Sequence, residues 1–239
     1  MPAGDGLASS ASGFRFTTTT ATLPAEQPTP FRFQIQAADG APVTAYEPDQ
    51  TKLMHFYLIR SDLTGFQHIH PEPAGDGTWT APVRALHPGS YRVYVSFIAK
   101  NGSGAAVPLV LSDRVTVAGT AATTPLPPAS TTTQVDGYTL TLTRDTTTGR
   151  GGMLTVTVSH DGTPVTDLQP YLDTYAHLTA FHEGDLAFAH LHPEGTADAG
   201  HGGPTLSFHT ELPHPGNWRL FVQFQTAGTL HTAAITLAA

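Results

Sequence analysis

The sequence has no cysteine, few charged residues and no long apolar run, and each absence excludes a class of protein. Without cysteine there is no disulfide, no thiolate metal site and no cysteine nucleophile. Charged residues make up only 13%, and the 11 basic side chains are spread along the chain without a basic patch. Nucleic acid is therefore not expected as a partner. No stretch approaches the roughly 18 consecutive apolar residues that a membrane-spanning helix needs.

The first residues also lack the marks of a signal peptide, since residues 1–6 have neither a basic region nor an apolar run. Residues 5–30 are rich in Ser, Thr, Ala and Pro, like the spacer that follows a removed signal or lipid anchor. We therefore interpret the chain as the mature part of an exported protein that is secreted or anchored to the cell envelope.

What the sequence does contain is 23 glycines and 20 prolines, together with 39% hydrophobic residues. The apolar fraction is sufficient for a buried core, and the many turn-forming residues favour short strands over long helices. Tyr91, Val93, Val95 and Phe97 alternate with polar or smaller neighbours, which is the period-two pattern of a half-buried strand. These features predict an all-β fold.

An internal repeat divides the chain into two copies. The segment DGAPVT at 39–44 recurs as DGTPVT at 161–166, an offset of 122 (161 − 39). The same offset relates HIHPE at 68–72 to HLHPE at 190–194. The repeat predicts two tandem antiparallel β-sandwich domains, immunoglobulin-like or cupredoxin-like.

A Pro/Thr/Ala-rich stretch lies between the two copies and predicts an extended, semi-stiff linker. We accordingly predict three parts of the chain. They are a first β-sandwich repeat over 12–117, the linker over 118–133 and a second β-sandwich repeat over 134–239.

Three positions shared by the two copies are histidines: His55, His68 and His70, with their counterparts His177, His190 and His192. A hairpin over 54–70 pairs His55 with His70 and His68 with Tyr57. Side chains alternate across a strand, so the three imidazoles share one face. Because opposed Cβ atoms lie roughly 4.5–5.5 Å apart, the three rings are expected to converge on one point.

This arrangement is typical of a metal site, since a His-x-His pair with a cross-strand histidine can bind zinc or copper at roughly 2.0–2.1 Å. Imidazole ligands alone favour copper(II) by the Irving–Williams order, with zinc as the alternative. The opposite face, with Met54, Phe56, Leu58 and Ile69, is predicted to be the core. The histidine face is then the outer one, open to solvent or to the other domain.

Three further residues are weaker candidates. His231 is a candidate fourth ligand in the second domain, and the register of the turn at 225–229 decides whether it faces the core or the metal-bearing face. Glu72 and Glu194 follow the repeated motif. Either could orient a ligand imidazole or act as a base on a metal-bound water, although a solvated loop carboxylate is the plainer interpretation.

Three motifs carry a resemblance to a known group of proteins. They are MHFYLIRSDLTGFQHIHPE at 54–72, DGTPVTDLQPYLDTYAHLTAFHEGDLAFAHLHPE at 161–194 and GNWRLFVQFQTAGTLHTA at 216–233. They resemble a largely uncharacterised family of secreted or membrane-anchored actinobacterial proteins with duplicated HisXHisPro domains. The resemblance implies an extracytoplasmic location. The chain is also similar to small copper-handling β-sandwiches of bacterial envelopes, but it lacks their Met-rich motifs, which argues against a Cu(I) chaperone.

Three functions remain open at this point. The first is binding of copper(II), or alternatively zinc, for sequestration, delivery or sensing, with the metal ion and a cell-envelope protein as partners. The second is a metal-dependent enzyme with His177, His190 and His192 as ligands and Glu194 as a base. The third is a metal-free adhesion or structural module whose histidines bond one another or a partner.

Overall fold

The structure, a computed structural model, describes residues 5–145, 151–197 and 200–239, leaving out the side chains of His190 and His192. The chain folds into two compact units, Met1–Pro125 and Leu126–Ala239. Every regular element in these described ranges is a β-strand, which confirms the all-β prediction. Over the same ranges there is no helix long and apolar enough to cross a membrane.

The first unit is built from two facing sheets. Its strands are β1 (Ser10–Ala11), β2 (Phe14–Thr18), β3 (Thr22–Leu23), β4 (Thr29–Gln36), β5 (Tyr46–Glu47), β6 (His55–Arg60), β7 (Gln67–Ile69), β8 (Glu72–Pro73), β9 (Thr78–Val83), β10 (Gly89–Lys100) and β11 (Ala106–Val117). One sheet has the order β1-β2-β4-β9-β8, and the other has the order β3-β11-β10-β6-β7, with β5 beside β10. Neighbouring strands are antiparallel, with the short parallel pair β3 and β11 as the exception.

Aromatic side chains from both sheets fill the space between them. Phe31 and Phe33 of β4 have ring centroids 5.4 and 5.8 Å from that of Phe56 on β6. All three rings are buried, and burial of each stabilises the fold by roughly 1.5–3 kcal/mol. The first unit is therefore a β-sandwich, as the alternating pattern predicts.

The second unit repeats this construction with its strands joined into one continuous path. Its strands are β12 (Thr132–Val135), β13 (Tyr138–Asp145), β14 (Gly151–His160), β15 (Thr163–Pro164), β16 (Ala176–His182), β17 (Phe188–Pro193), β18 (Thr205–Glu211), β19 (Asn217–Thr226) and β20 (Thr229–Ala238). Their order is β12-β13-β14-β18-β17-β16-β19-β20, with β15 beside β14.

The repeated HisXHisPro motif lies where the chain changes from one sheet to the other. In the first unit β7 belongs to the six-stranded sheet and β8 to the five-stranded sheet, and His70 and Pro71 lie between them. In the second unit β17 spans the same crossing, because it pairs with β16 along one part and with β18 at His192 and Pro193. The internal repeat is thus confirmed at the level of strand topology.

A tight turn of the same shape precedes the first histidine strand in both units. Asp49 and Lys52 exchange backbone hydrogen bonds of 2.8 and 3.0 Å, and Tyr171 and Thr174 exchange bonds of 2.6 and 3.3 Å. The two central residues of each turn have positive φ: Gln50 (44°), Thr51 (68°), Leu172 (55°) and Asp173 (63°). None is glycine, so each turn holds a backbone that L-residues rarely adopt. We call residues 49–52 the cap turn.

Candidate metal site

The hairpin of β6 and β7 has the register that places three histidines together. Tyr57 pairs with His68, and Phe56 pairs with Ile69, as the sequence predicts. His55, Tyr57 and His68 therefore share one face, because side chains alternate along each strand. Phe56 points the other way and is fully buried in the core.

His55, His68 and His70 form one compact group, which we call the His55 cluster. Each offers one ring nitrogen, and the three nitrogens lie within 4.8 Å of one another. His55 Nδ1 and His68 Nε2 are 3.1 Å apart. Two nitrogens bound to the same tetrahedral ion at 2.0–2.1 Å lie about 3.4 Å apart. These two ring nitrogens therefore need to move only a few tenths of an ångström to share an ion.

A backbone carbonyl in the cap turn fixes the tautomer of His55. Its Nε2 lies 3.0 Å from the Asp49 carbonyl oxygen, and since a carbonyl only accepts, Nε2 carries the proton and donates. In the neutral ring Nδ1 then holds the lone pair and accepts from His68 Nε2–H. The Tyr57 ring stacks on His68 with centroids 4.5 Å apart, which orients that ring. Metal-binding histidines are commonly held by such a hydrogen bond from the second ring nitrogen.

The surroundings favour the neutral forms of His55 and His70. Burial lowers the pKa of His55, and the nearby Lys52 charge lowers it further, although the Asp49 carbonyl and carboxylate oppose this. Burial lowers the pKa of His70 to about 3, with contributions from the charges of His55 and Lys52. His70 Nε2 is a buried atom with no hydrogen-bond partner among the described residues. Neutral imidazole is the form that binds a metal.

The face that carries the cluster is less open than the sequence suggests. His55 and Tyr57 have no exposed surface, so this part of the face is not open to solvent. Arg92, on the same face, donates a 3.0 Å hydrogen bond to the Leu7 carbonyl, so the N-terminal segment crosses part of it. His68 is half-buried.

In the second unit the backbone repeats this hairpin. His177 on β16 is fully buried, and Thr179 pairs with His190 as Tyr57 pairs with His68. The side chains of His190 and His192 lie outside the described residues. A second cluster of His177, His190 and His192 therefore stays a prediction.

The structure separates His231 from this second group. It pairs with Phe224, whereas His177 pairs with the neighbouring Gln223, so the two histidines lie on opposite faces of the sheet. His231 Nδ1 lies 2.8 Å from Asp136 Oδ2, and its Nε2 lies 2.9 Å from Thr226 Oγ1. The expectation of a fourth ligand at His231 is therefore wrong, because both ring nitrogens are engaged on the core side.

The two glutamates that follow the motif are exposed, and no described contact joins them to the cluster. Glu194 lines a pocket of about 360 Å³ together with Thr196 and Ser207, and no histidine is among the lining residues. A role for Glu72 or Glu194 as a base stays a prediction.

Sequence reasoning missed Asp49 and Lys52, which contact or influence the cluster from the cap turn. They align with Tyr171 and Thr174 in the second copy, so the repeat gives no sign of them. No spacing pattern marks a backbone carbonyl as a hydrogen-bond acceptor. The contact between the Asp49 carbonyl and His55 therefore could not be predicted from the pattern of side chains.

Comparison with known proteins identifies one family. The model of a family described as "Domain of unknown function (DUF8832)" matches residues 9–113 and, a second time, residues 133–239. None of the curated proteins matches the chain significantly.

Several solved structures are similar to the chain at low identity. An adhesin of Escherichia coli, FdeC, has 16% identity and a TM-score of 0.29, with 96% of this chain and 65% of that chain covered. A DUF4785 family protein of Legionella pneumophila has 9% identity and a TM-score of 0.32, with 95% and 56% covered. The chain thus spans less than two thirds of the length of both proteins. TM-scores this low assign neither a fold nor a function to the chain.

Proposed function

The chain belongs to the DUF8832 family through both of its repeats. From the three converging histidines of the His55 cluster we propose that it is a metal-binding protein. The first domain would bind one divalent copper ion through His55, His68 and His70. Zinc is the alternative ion. The proposed roles are sequestration, delivery or sensing of the metal outside the cytoplasm, with a cell-envelope protein as a further partner.

The observation that carries this proposal is the position of the His55 lone pair. The Asp49 carbonyl holds the proton on Nε2, and Nδ1 faces His68 Nε2 at 3.1 Å. His68 would offer its own Nε2 lone pair once its proton moves to Nδ1, a tautomer change that releases no net proton. A 3.1 Å separation then suits two ligands of one ion.

The ligand chemistry favours copper(II). The site has three imidazoles and no thiolate, because the chain has no cysteine. Met54, the nearest methionine in sequence, is buried in the core, on the other side of β6 from His55. For nitrogen ligands the affinity order places Cu²⁺ above Zn²⁺.

We extend the proposal to the second domain, with His177, His190 and His192 as ligands. Its support is the matching strand register, in which Thr179 pairs with His190. Two ions per chain are then expected, one in each domain.

The test is the metal content of tag-free protein by elemental mass spectrometry, followed by titration with Cu(II) and Zn(II). The wild type should bind two ions per chain, and His55→Ala should bind one. His87→Ala is the matched control. His87 is exposed, and its Nδ1 lies 2.6 Å from Glu26 Oε1 and not in the cluster. No binding at micromolar metal would overturn the proposal.

A metal-free structural module is the second candidate, and one observation favours it. Both ring nitrogens of His55 have partners inside the protein, so His55 is hydrogen-bonded without any ion. If the protein is such a module, His55→Gln should lower its stability, and addition of Cu(II) or Zn(II) should not raise its melting temperature. A rise in melting temperature with Cu(II) that His55→Ala abolishes would exclude it.

A further inference from the structure

The second unit has a pocket beside a connection that is longer than its counterpart in the first unit. Residues 194–204 join β17 to β18, whereas residues 74–77 join β8 to β9 in a tight turn. The pocket has a volume of about 360 Å³, which lies within the range of roughly 300–1,000 Å³ that is usual for small-molecule sites. Residues 193–197, at the start of the longer connection, form one of its walls.

Two backbone hydrogen bonds hold this wall in an arch. Glu194 N–H donates to the Ser207 carbonyl at 2.8 Å, which anchors one end of the arch to β18. Ala197 N–H donates to the Asp173 carbonyl at 2.7 Å, which anchors the other end to the turn before β16. Gly195, between the two anchors, has φ of 80°, a conformation that favours glycine. The wall is therefore fixed by the backbone, and its side chains are not needed to hold it.

The side chains that line the pocket bring one negative charge and several hydroxyl groups. Glu194 is the only charged residue of the lining. Three further residues of the lining bring a hydroxyl each: Thr196, Thr205 and Ser207. Thr174 also lines the pocket, but its hydroxyl already donates to a backbone carbonyl at 2.9 Å. No described hydrogen bond or ion pair engages the other four side chains, so a carboxylate and three hydroxyls are available to a ligand.

Tyr175 adds an aromatic surface to the lining and is half-buried. A Cβ atom added at Gly202 would overlap the Tyr175 ring, so the backbone of Gly202 lies directly against that ring. Gly202 in turn exchanges backbone hydrogen bonds of 2.9 and 3.0 Å with Leu168. The longer connection therefore holds the Tyr175 ring in place beside the pocket.

This combination of groups selects the class of ligand. No lysine or arginine lines the pocket, so an anion finds no partner of opposite charge there. A carboxylate accepts hydrogen bonds from two neighbouring hydroxyls of a sugar, and serine and threonine hydroxyls both donate and accept. An aromatic ring offers an apolar surface to the C–H face of a sugar ring. An ammonium ion carries donors only, so it would use the carboxylate and leave the donors of the lining unused.

We propose that this pocket binds a sugar of about the size of one monosaccharide unit. Glu194, Thr196 and Ser207 form the hydrogen bonds, and the Tyr175 ring packs against the sugar. A free sugar and the end unit of a glycan share this chemistry. The proposal does not depend on metal binding, since no histidine lines the pocket.

The experiment records ¹H–¹⁵N NMR spectra of the full chain during titration with glucose, galactose, mannose and N-acetylglucosamine, each to tens of millimolar. At least one sugar should shift the amide signals of Gly195, Ala197 and Ser207. Ethylammonium chloride is the probe for the rival class of ligand, a cation, and should leave these signals in place. The methyl glycoside of the sugar that binds separates the two sources, because equal affinity indicates the end unit of a glycan and weaker affinity indicates a free sugar.

Three variants make the test specific. Glu194→Gln keeps the shape of the side chain but removes its charge, and it should weaken sugar binding by at least about fivefold, because hydrogen bonds to a charged group are the stronger ones. Ser207→Ala should weaken binding by about threefold or more through the loss of one hydrogen bond. Glu72→Gln is the matched control and should leave the affinity unchanged, since Glu72 has the same position in the first copy and is likewise exposed.

The outcomes also keep this site apart from the proposed metal site. Shifts at the pocket that weaken in Glu194→Gln and persist in Glu72→Gln are the expected result. Absence of shifts with every sugar, equal affinities in the two glutamate variants, or shifts caused by ethylammonium and by no sugar would overturn the inference. Copper titration of the same samples reports on the histidines alone, so the failure of one proposal leaves the other standing.

Discussion

At the scale of single residues, His231 shows how strand parity decides the role of a histidine. It lies on the core side of β20 and forms a hydrogen-bonded chain with Asp136 and Thr226, and the Thr226 hydroxyl is 2.7 Å from the Tyr138 hydroxyl. The imidazole is almost fully buried, with 6% of its surface exposed. Its two ring nitrogens therefore link β20 to the turn between β12 and β13 and to the end of β19.

We expect His231→Gln to destabilise the second unit by about 1–3 kcal/mol, because it leaves buried hydrogen-bonding groups unsatisfied. Urea unfolding followed by Trp218 fluorescence measures this loss. Copper stoichiometry should stay at the wild-type value. A loss of one ion in His231→Gln would restore this residue as a ligand and contradict the strand register.

The neutral histidines of the His55 cluster predict sensitivity to acid. The pKa values of His55 and His70 in the folded protein lie below the ordinary value of 6.5, so the unfolded chain binds more protons than the folded one as the pH falls. Stability should be level above pH 6.5 and decrease below it, and the part due to His70 should continue to about pH 3.

Melting temperatures of metal-free protein between pH 8 and pH 4 measure this effect. His70→Gln removes one of the two groups and should make the decrease shallower. An equally steep decrease in His70→Gln would show that His70 does not contribute.

At the scale of elements, the cap turn holds strain that a substitution can relieve. Thr51 has φ of 68°, and a β-branched residue is a poor choice for the left-handed region. Asparagine tolerates this conformation, so Thr51→Asn should raise stability by about 0.5–1 kcal/mol. Calorimetry measures the change, and Thr19→Asn, at an exposed position without positive φ, is the control. A melting temperature that falls in Thr51→Asn but not in Thr19→Asn would show that the positive φ of Thr51 is not a source of strain.

The hairpin of the cluster could be predicted because its information is local. Alternation placed Phe56 in the core, and a hairpin over 54–70 predicted the register that pairs Tyr57 with His68. The face of His231 could not be predicted, because it depends on whether the turn after Thr226 has two residues or more. The structure has the two-residue turn of Ala227 and Gly228.

The sheet crossing and the cap turn were beyond prediction for other reasons. The change of sheet between β7 and β8 depends on the long-range pairing of β9 with β4, which periodicity does not report. The cap turn has neither the glycine nor the asparagine that usually marks a turn of this shape. Tertiary contacts therefore determine the sheet crossing and the cap turn, and the local sequence gives little indication of either.

At the scale of the whole molecule, the start of the predicted linker is held against the first unit. Arg60 donates to the Ala122 carbonyl at 2.6 Å, and Thr124 N–H donates to Asp62 Oδ2 at 2.9 Å. Arg60 and Asp62 also form a 3.3 Å ion pair with little exposed surface. Burial raises the pKa of Asp62, but hydrogen bonds from Thr64 and Thr124 and the Arg60 charge outweigh it, so the pKa lies below its ordinary value.

We expect Asp62→Ala to release this segment and to speed its cleavage by an elastase-type protease, because residues 118–124 are small and contain no proline. Mass spectrometry of the fragments locates the cut. Asp76→Ala is the matched control, since Asp76 likewise accepts from the N–H two residues later, Thr78, but has no contact with the linker. Equal cleavage rates in both variants would show that Asp62 does not hold the segment.

The crossing of the chain between the two sheets also explains why the motif of the first unit ends in proline. A residue that has left one ladder and not yet joined the next has no strand to receive its N–H, and an unpaired donor in a buried place costs about 1–3 kcal/mol. Pro71 is buried at this point and has no N–H to leave unpaired. Its ring also keeps the preceding residue extended, so the backbone of His70 is restricted even before the chain folds. Pro71 therefore allows the backbone to cross between the sheets without an unpaired N–H. Because it restricts the backbone of His70, it also limits the directions that the His70 imidazole can take.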